Sequence, residues 1–271
     1  SGGTVLNAFK SPVIASIFSL DNPGDEEGGL DTWGEDLIGI KGEQFGPSSS
    51  SNYVEWVLQN TDIQGLPKEG MTTSDCSVYN TTFIACTMVA GVGHDLSSTL
   101  SVGGQQSSTF SSTLLAFSPP EISSLSISNT DLATEGGEAI TVQGTYFGPV
   151  GYAYNSLFYE NDALTNLAGT TFKATNCTVS SHAGTKSGLN RLETMICYSV
   201  EGVGLNFSFV TQVGDQNSSS SADLLSYTRP SIKRLVIPDD IPTSGGAILT
   251  LVGDNFGPIK TSNSIRGFFQ N

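Results

Sequence analysis

One pattern occurs three times in this chain and constrains its fold more than any other feature. The three copies span residues 37–47, 139–149 and 248–258, and each ends in Phe-Gly-Pro. Aliphatic residues in each copy alternate with Gly or Thr, the period of a strand with one buried face. A Gly then precedes the Phe by three residues and suits a turn or bulge that brings the ring back under the sheet. Each copy therefore predicts a strand, a tight turn, a buried Phe and a terminating Pro.

A second repeated segment joins the copies. Residues 6–12, 114–120 and 224–230 each contain an apolar piece that ends in an aromatic residue and is followed by Pro, and another alternating strand begins after it. The last strand of one module thus runs into the first strand of the next through about three residues, which leaves little room for a flexible linker. This spacing predicts a stiff rod.

The repeat length predicts the domain organisation. The shared glycines Gly42, Gly144 and Gly253 lie 102 and 109 residues apart, and about 100 residues of short strands is the size of an immunoglobulin-like sandwich. The 31 glycines and the absence of a 3.6-residue apolar period favour an all-β chain. We expect the end of a preceding module at 1–10, complete modules at 11–118 and 119–229, and an incomplete module at 230–271.

Charge restricts the classes of partner. The net charge is -15 with only 11 Lys and Arg residues, so the chain would repel nucleic acids and anionic membrane surfaces. No apolar run is long enough to span a bilayer, so we expect no membrane insertion in this segment. The chain opens with no signal peptide, which suits a fragment of a mature protein whose signal and any anchor lie elsewhere.

The four cysteines form two close pairs at equivalent places in the repeat. Cys86 and Cys197 each precede a Gly-Val-Gly by five residues. The predicted bridges are therefore Cys76–Cys86 and Cys177–Cys197, one in each module. Zinc is the rival interpretation, and two cysteines per module without a nearby His disfavour it.

Four Asn-x-Ser/Thr sequons point to the same compartment as the cysteines. They lie at Asn80, Asn176, Asn206 and Asn217. Sequons arise by chance in Ser/Thr-rich sequence, but paired cysteines and sequons together favour an oxidising secretory route. We expect an extracellular or cell-surface protein that carries N-glycans.

An acidic loop at residues 21–36 raises the question of calcium. Its candidate ligands are Asp21, Asp25, Glu26, Glu27 and Asp31. Carboxylates are the ligands that calcium prefers, but the loop lacks the Asp-x-Asp-x-Asp-Gly spacing that wraps one ion. The other copies have shorter, less acidic loops, so a solvated loop is the simpler interpretation, and we predict no other metal or cofactor.

Nothing in the sequence predicts catalysis. Only His94 and His182 could serve as imidazole bases, and His94 and Asp95 would point to opposite faces if they lay in a strand. The Gly-Val-Gly segments lack the rest of a nucleotide-binding loop, so turns are expected there. Trp56 lies on an alternating apolar face and is expected in the core, whereas Trp33 in the acidic loop is a conceivable sugar platform.

The order of these elements resembles the IPT/TIG repeat, the immunoglobulin-like module of plexins, transcription factors and many large surface proteins. The resemblance covers essentially the whole chain and rests on the Gly-x-x-Phe-Gly-Pro, the cysteine pair, the Gly-Val-Gly and a Val-Gly-x-Gln segment in order. It implies tandem immunoglobulin-like sandwiches. The DNA-binding branch requires basic loops, which this acidic chain does not offer.

The resemblance therefore implies an extracellular structural or adhesive rod without catalysis. Its partners would be other surface proteins or further copies of itself, bound through module surfaces. The alternatives are a receptor ectodomain for a protein ligand and a non-catalytic accessory region of a secreted carbohydrate-active enzyme. For the incomplete ends, a longer array is favoured over a fibre in which residues 6–9 complete a neighbouring copy.

Overall fold

The structure is a computed structural model that describes residues 9–21, 29–48, 54–67, 70–73, 75–112, 115–161, 171–185 and 191–259. Within those ranges every regular element is a β-strand, and the strands pair with one another antiparallel. Two isolated bridges outside the strands, Leu30–Phe117 and Leu132–Tyr227, are parallel. The prediction of an all-β chain of tandem sandwiches is confirmed. We call the unit whose strands lie within residues 13–111 the first sandwich and the unit whose strands lie within residues 121–217 the second sandwich.

The first sandwich contains two sheets. Its strands are β1 (Val13–Ser19), β2 (Leu37–Glu43), β3 (Val54–Gln59), β4 (Met71–Thr73), β5 (Cys76–Asn80), β6 (Phe83–Thr87), β7 (Ser97–Val102), β8 (Gln105–Gln106) and β9 (Phe110–Ser111). One sheet has the order β1-β2-β6-β5 and the other the order β4-β3-β7-β8, with β9 paired to β7.

The second sandwich repeats the arrangement of β1 to β8, and β9 has no counterpart among its described strands. Its strands are β10 (Glu121–Ile127), β11 (Ala139–Thr145), β12 (Ser156–Glu160), β13 (Phe172–Lys173), β14 (Thr175–Ala183), β15 (Leu192–Tyr198), β16 (Ser208–Val213) and β17 (Gln216–Asn217). The sheets are ordered β10-β11-β15-β14 and β13-β12-β16-β17. A final pair, β18 (Ser231–Val236) and β19 (Thr250–Asp254), repeats β1 and β2.

Each sandwich encloses one core between its two sheets. In the first, Ile40 and Ile84 of one sheet pack with Trp56 and Leu100 of the other, and all four side chains are buried. The expectation that Trp56 is a core residue is confirmed. Burial at about 25 cal/mol per Å² of apolar surface makes such a core the main stabilising contribution to each unit.

The Gly of the repeated pattern permits a close approach within the sheet. A Cβ on Gly42 would lie 1.9 Å from the carbonyl oxygen of Val13 and 2.6 Å from the ring of Phe45. Gly144 meets the equivalent atoms at the same distances, and the partner strand is bulged opposite each of them. Phe45 and Phe147 are fully buried, as predicted.

The turn itself falls two residues after this Gly. Positive φ angles lie at Gln44 (67°), Tyr146 (63°) and Asn255 (59°), in the left-handed region that residues other than Gly seldom adopt. The Gly of each Phe-Gly-Pro has a positive φ as well: 82° at Gly46, 101° at Gly148 and 88° at Gly257. The first Gly of the pattern therefore serves a bulge and a buried ring. The turn is made by a residue that differs from copy to copy together with the invariant Gly of Phe-Gly-Pro.

Candidate functional site: the joint between the two sandwiches

The cysteines lie at equivalent positions of the two sandwiches. A disulfide joins Cys76 on β5 to Cys86 on β6, and a second joins Cys177 on β14 to Cys197 on β15. Cys76 and Cys86 are direct partners in the strand register. Each bond therefore ties an edge strand to its neighbour in the same sheet.

All four sequon asparagines are exposed at the surface. Asn80 lies at the end of β5, and its side-chain oxygen accepts hydrogen bonds from the backbone N–H (2.8 Å) and the hydroxyl (2.9 Å) of Thr82. Asn176 and Asn206 have positive φ angles, and Asn217 lies in β17. Accessibility is what glycan attachment requires, and occupancy stays a prediction.

Two carboxylates of the acidic loop bind backbone N–H groups. Asp21 accepts a hydrogen bond from the backbone N–H of Leu37 at 2.8 Å, and Asp31 accepts one from that of Trp33 at 2.8 Å. The remaining calcium candidates, Asp25, Glu26 and Glu27, lie outside the described residues. Within the described ranges no group of three or more His, Cys, Asp or Glu side chains is placed to hold a metal, so calcium stays a prediction.

The expectation for His94 and Asp95 is wrong. These residues lie in a bend between strands, and Asp95 has a positive φ of 50°. The bend turns both side chains to the same side, and the imidazole Nδ1 lies 2.8 Å from the Asp95 carboxylate. His94 is partly exposed and Asp95 is exposed.

The most strongly organised polar group in the described structure lies where the two sandwiches meet. Arg191, directly before β15, forms an ion pair with Asp31 of the first sandwich. Its guanidinium also donates to Glu193 at 2.6 Å and to the hydroxyl of Thr32 at 3.3 Å. The Arg191 side chain is only 7% exposed and that of Glu193 is completely buried. We call this cluster the joint.

Aromatic rings enclose the guanidinium on both sides. Its central carbon lies 4.5 Å from the ring centroid of Trp33 in the first sandwich and 4.5 Å from that of Tyr146 in the second. The imidazole of His182 stacks on the Trp33 ring at 4.4 Å. Cations attract aromatic faces more strongly when water is excluded, so the stack reinforces the ion pair.

Glu193 connects the joint to the core of its own sandwich. Its two carboxylate oxygens accept hydrogen bonds from the backbone N–H groups of Tyr146 (3.0 Å) and Phe147 (2.6 Å). The turn of the repeated pattern is thus fixed by the carboxylate that also binds Arg191. Burial alone would lower the pKa of Arg191, but hydrogen bonds to Asp31 and Glu193 outweigh it and hold that pKa above its ordinary value.

Backbone and apolar contacts extend the interface. The side-chain amide of Gln216 donates to the carbonyl of Phe117 at 2.9 Å, across the sandwich boundary. Val92 belongs to the first sandwich by sequence, yet it is buried in the core of the second. Leu66 packs against both cores.

The contacts of the joint serve to hold the two sandwiches together. Its charges are paired, Trp33 is stacked on His182, and Trp33 and Tyr146 both contact the guanidinium of Arg191. Trp33, a conceivable sugar platform from the sequence, stacks instead on His182 and Arg191. Sequence reasoning missed Arg191, although an acid at an inward position of an alternating strand, Glu193, signalled a buried cation.

Comparisons with known proteins give structural likeness only. No family model and no curated protein matches the chain. The plexin A4 extracellular region is 14% identical, with 83% of this chain and 19% of that chain covered and a TM-score of 0.28. A surface glycan-binding protein of Prevotella bryantii is 13% identical, covering 78% and 41%, with a TM-score of 0.38.

The adhesin InvE of Yersinia pseudotuberculosis is similar to the same degree. It is 11% identical, with 81% of this chain and 58% of that chain covered and a TM-score of 0.37. The chain spans less than two thirds of the length of each of these three proteins. Among the described residues, no helix is long and apolar enough to cross a bilayer.

Proposed function

We propose that this chain is an extracellular structural or adhesive segment in which IPT/TIG-type modules are joined into a stiff rod. The complete modules are residues 11–118 and 119–229, flanked by the end of another module at 1–10 and the start of one at 230–271. The segment binds through its surfaces and performs no catalysis. Its partners are other surface proteins or further copies of the same array.

The observation that carries this proposal is the buried joint. Domains within one chain usually move relative to one another unless their interface is large or strongly held. Here an Arg191–Asp31 ion pair with low exposure sits between stacked rings, and Val92 of one unit fills the core of the other. Rotation about the connection would uncover a charge and an apolar side chain together, so it is strongly disfavoured.

The extracellular location rests on covalent features. Two disulfides occupy equivalent places, and four sequon asparagines are exposed. Disulfides persist in oxidising compartments, where N-glycans are also attached. Mass spectrometry of the protein from its natural source tests this: four free thiols or an unmodified mass would contradict secretion.

Electron microscopy of the purified chain tests the rod. We expect a narrow distribution of angles between the two sandwiches in the wild-type protein and a broader one in Arg191→Ala. If that variant loses its fold, Trp33→Ala removes the ring stacking and leaves the ion pair. Lys233→Ala, which breaks an exposed pair with Asp254, is the matched control and should leave the angle unchanged. A wide distribution in the wild type would contradict the rod.

A further inference from the structure

The outer face of one sheet in the first sandwich carries a row of aromatic rings, which we call the aromatic strip. The rings belong to Phe18 on β1, Phe83 on β6 and Tyr79 on β5. Phe18 stacks on Phe83 at 6.2 Å between ring centroids, and Phe83 lies 5.4 Å from Tyr79. The Tyr79 side chain is 59% exposed. Phe18 and Phe83 are half-buried, so the strip is a partly exposed apolar surface on which a ligand can pack.

Small residues lie beneath the strip and leave room for the Phe18 ring against the sheet. Gly39 is the register partner of Phe18, and a Cβ on Gly39 would come within 2.6 Å of the Phe18 ring. Ala85 is the next residue across the sheet. At one end, the ammonium group of Lys41 lies 4.9 Å from the Phe18 ring centroid and supplies a hydrogen-bond donor beside the apolar surface.

A β-bulge places a sequon at the other end of the strip. Val78 pairs with Ile84 and Asn80 pairs with Phe83, so Tyr79 is an extra residue in β5. Residues directly opposite each other across a ladder share a face of the sheet. Asn80 therefore stands on the same face as Phe83, beside Tyr79.

The second sandwich has the same bulge without the strip or the sequon. Val179 pairs with Met195 and Ser181 pairs with Thr194, which leaves Ser180 as the extra residue. The positions of Phe18, Tyr79, Phe83 and Asn80 are taken by Ser126, Ser180, Thr194 and Ser181, respectively. Rings and acceptor asparagine thus occur together in one unit and are replaced together by small polar residues in the other.

We propose that the aromatic strip is the packing surface for an N-linked glycan on Asn80. The proposal rests on the secretory location given under Proposed function. Sugars present apolar C–H faces that pack on aromatic rings, while their hydroxyl groups bond to donors at the rim. The first sugars lie over Tyr79 and Phe83, and further sugars reach Phe18 and the ammonium group of Lys41.

The covalent step is the ordinary transfer from a lipid-linked oligosaccharide diphosphate. The Asn80 Nδ2 forms a bond to the sugar C1 and loses a proton, and the bond from C1 to the diphosphate oxygen breaks with its electron pair. The Asx geometry suits this transfer, because the Thr82 hydroxyl and backbone N–H both bond to Asn80 Oδ1. The attacking atom is Nδ2, the nitrogen of the same side-chain amide.

The test compares the full chain, secreted from eukaryotic cells, with its Thr82→Ala variant, which removes only the Asn80 sequon. Glycopeptide mass spectrometry first determines which sequons are occupied. Nitration of tyrosines by tetranitromethane then measures how well each ring is covered. Tyr154, which is 57% exposed, is the internal reference for Tyr79. Removal of the glycan from the folded wild-type protein by an amidase, which leaves Asp at position 80, repeats the comparison with the Thr82 hydroxyl intact.

We expect Tyr79 to be nitrated several-fold more slowly in the glycosylated protein than in Thr82→Ala, with Tyr154 unchanged. Tyr79→Ser should then lower the melting temperature of the glycosylated first sandwich by roughly 4 °C more than it does in the Thr82→Ala background. The same pair of measurements around Asn217, with Ser219→Ala, is the matched control and should show no effect on Tyr79.

The negative outcomes are distinguishable. An unmodified Asn80 in protein whose other sequons carry glycans overturns this inference and leaves the secretory location intact. A chain with no glycan at any sequon overturns both. A glycosylated Asn80 with equal nitration of Tyr79 in both proteins shows that the strip is free for a partner molecule, and the inference is then wrong.

Discussion

The two sandwiches have the same backbone topology and differ in the side chains that fill their cores. In the first, Leu58 pairs with Met71 and Ser98. At the same register positions of the second, Tyr159 pairs with Phe172 and Phe209. The strand order, the bulges, the disulfide and the Gly beside the buried Phe are common to both, because these features are set by backbone geometry.

The exchange of side chains creates different polar requirements. The Tyr159 and Tyr227 hydroxyls lie 2.7 Å apart in the second core, and Tyr227 donates to the carbonyl of Val200 at 2.7 Å. The residue at the place of Tyr227 in the first sandwich is Phe117, which needs no such partner. The second core therefore contains a buried pair of phenol hydroxyls that has no equivalent at Phe117 in the first.

The joint is formed by residues that differ between the two sandwiches, so the repeated pattern alone does not predict it. The bends that contain Asp31 and Ala133 have the same hydrogen bond, from Gly34 to Asp31 and from Gly136 to Ala133. The acid in the first sandwich is thus an alanine in the second. Connections elsewhere in such an array need other contacts, and the stiffness of each must be measured separately.

The largest effect is expected from breaking the joint. Arg191→Ala leaves two carboxylates, Asp31 and Glu193, without their cation, and truncating a buried pair costs about 3–5 kcal/mol. Most of the loss should fall on the second sandwich, because Glu193 fixes the turn before Phe147. Urea denaturation of the variant measures it. Lys233→Ala should cost less than about 1 kcal/mol, and equal losses in the two variants would contradict a buried role for Arg191.

Removing the disulfides should give the next largest loss of stability, and the loss should differ slightly between the two sandwiches. Each double Cys→Ala variant should lose on the order of 3 kcal/mol under the chain-entropy account. The bridges close sequence separations of 10 and 20 residues. Each doubling of loop length adds about 0.6 kcal/mol, so the Cys177–Cys197 bridge should contribute slightly more. Amide hydrogen exchange of β6 and β15 reports each sandwich separately, and a clear reversal of the order would refute the entropic account.

The hydroxyl pair in the second core provides a smaller and more local test. Tyr227→Phe leaves Tyr159 and the Val200 carbonyl with fewer partners, at a cost of about 1–3 kcal/mol. Tyr79→Phe, which removes an exposed hydroxyl from the first sandwich, should change stability by less than about 0.5 kcal/mol. Thermal denaturation of both variants measures the difference. A neutral Tyr227→Phe would show that the hydroxyl pair adds nothing beyond ring packing.

The features that sequence reasoning predicted are those that the backbone imposes on every copy. Alternating strands, the Gly beside Phe45 and the buried Trp56 follow from local chemistry, and repetition made them visible. The turn was only partly predictable, because one positive φ falls on Gly46, a turn-forming residue type, and the other on Gln44, which carries no turn signal. The Arg191–Asp31 pair spans 160 residues and occurs once, so neither local pattern nor repetition could reveal it.

Alkaline pH should destabilise the second sandwich before the first, and this is the smallest of the expected effects. Burial, followed by the nearby charge of Asp215, raises the pKa of Tyr152 to about 12 from 10, and burial also raises the pKa of Tyr159 and Tyr227. A folded-state pKa above the unfolded value gives stability that is present below about pH 10 and lost as pH rises toward 12. Among the described core residues of the first sandwich there is no tyrosine. Denaturant titrations at successive pH values should therefore show the second sandwich weakening first, with a shallower decline in Tyr152→Phe. Equal weakening of both sandwiches would mean that these phenols ionise without opposing the fold.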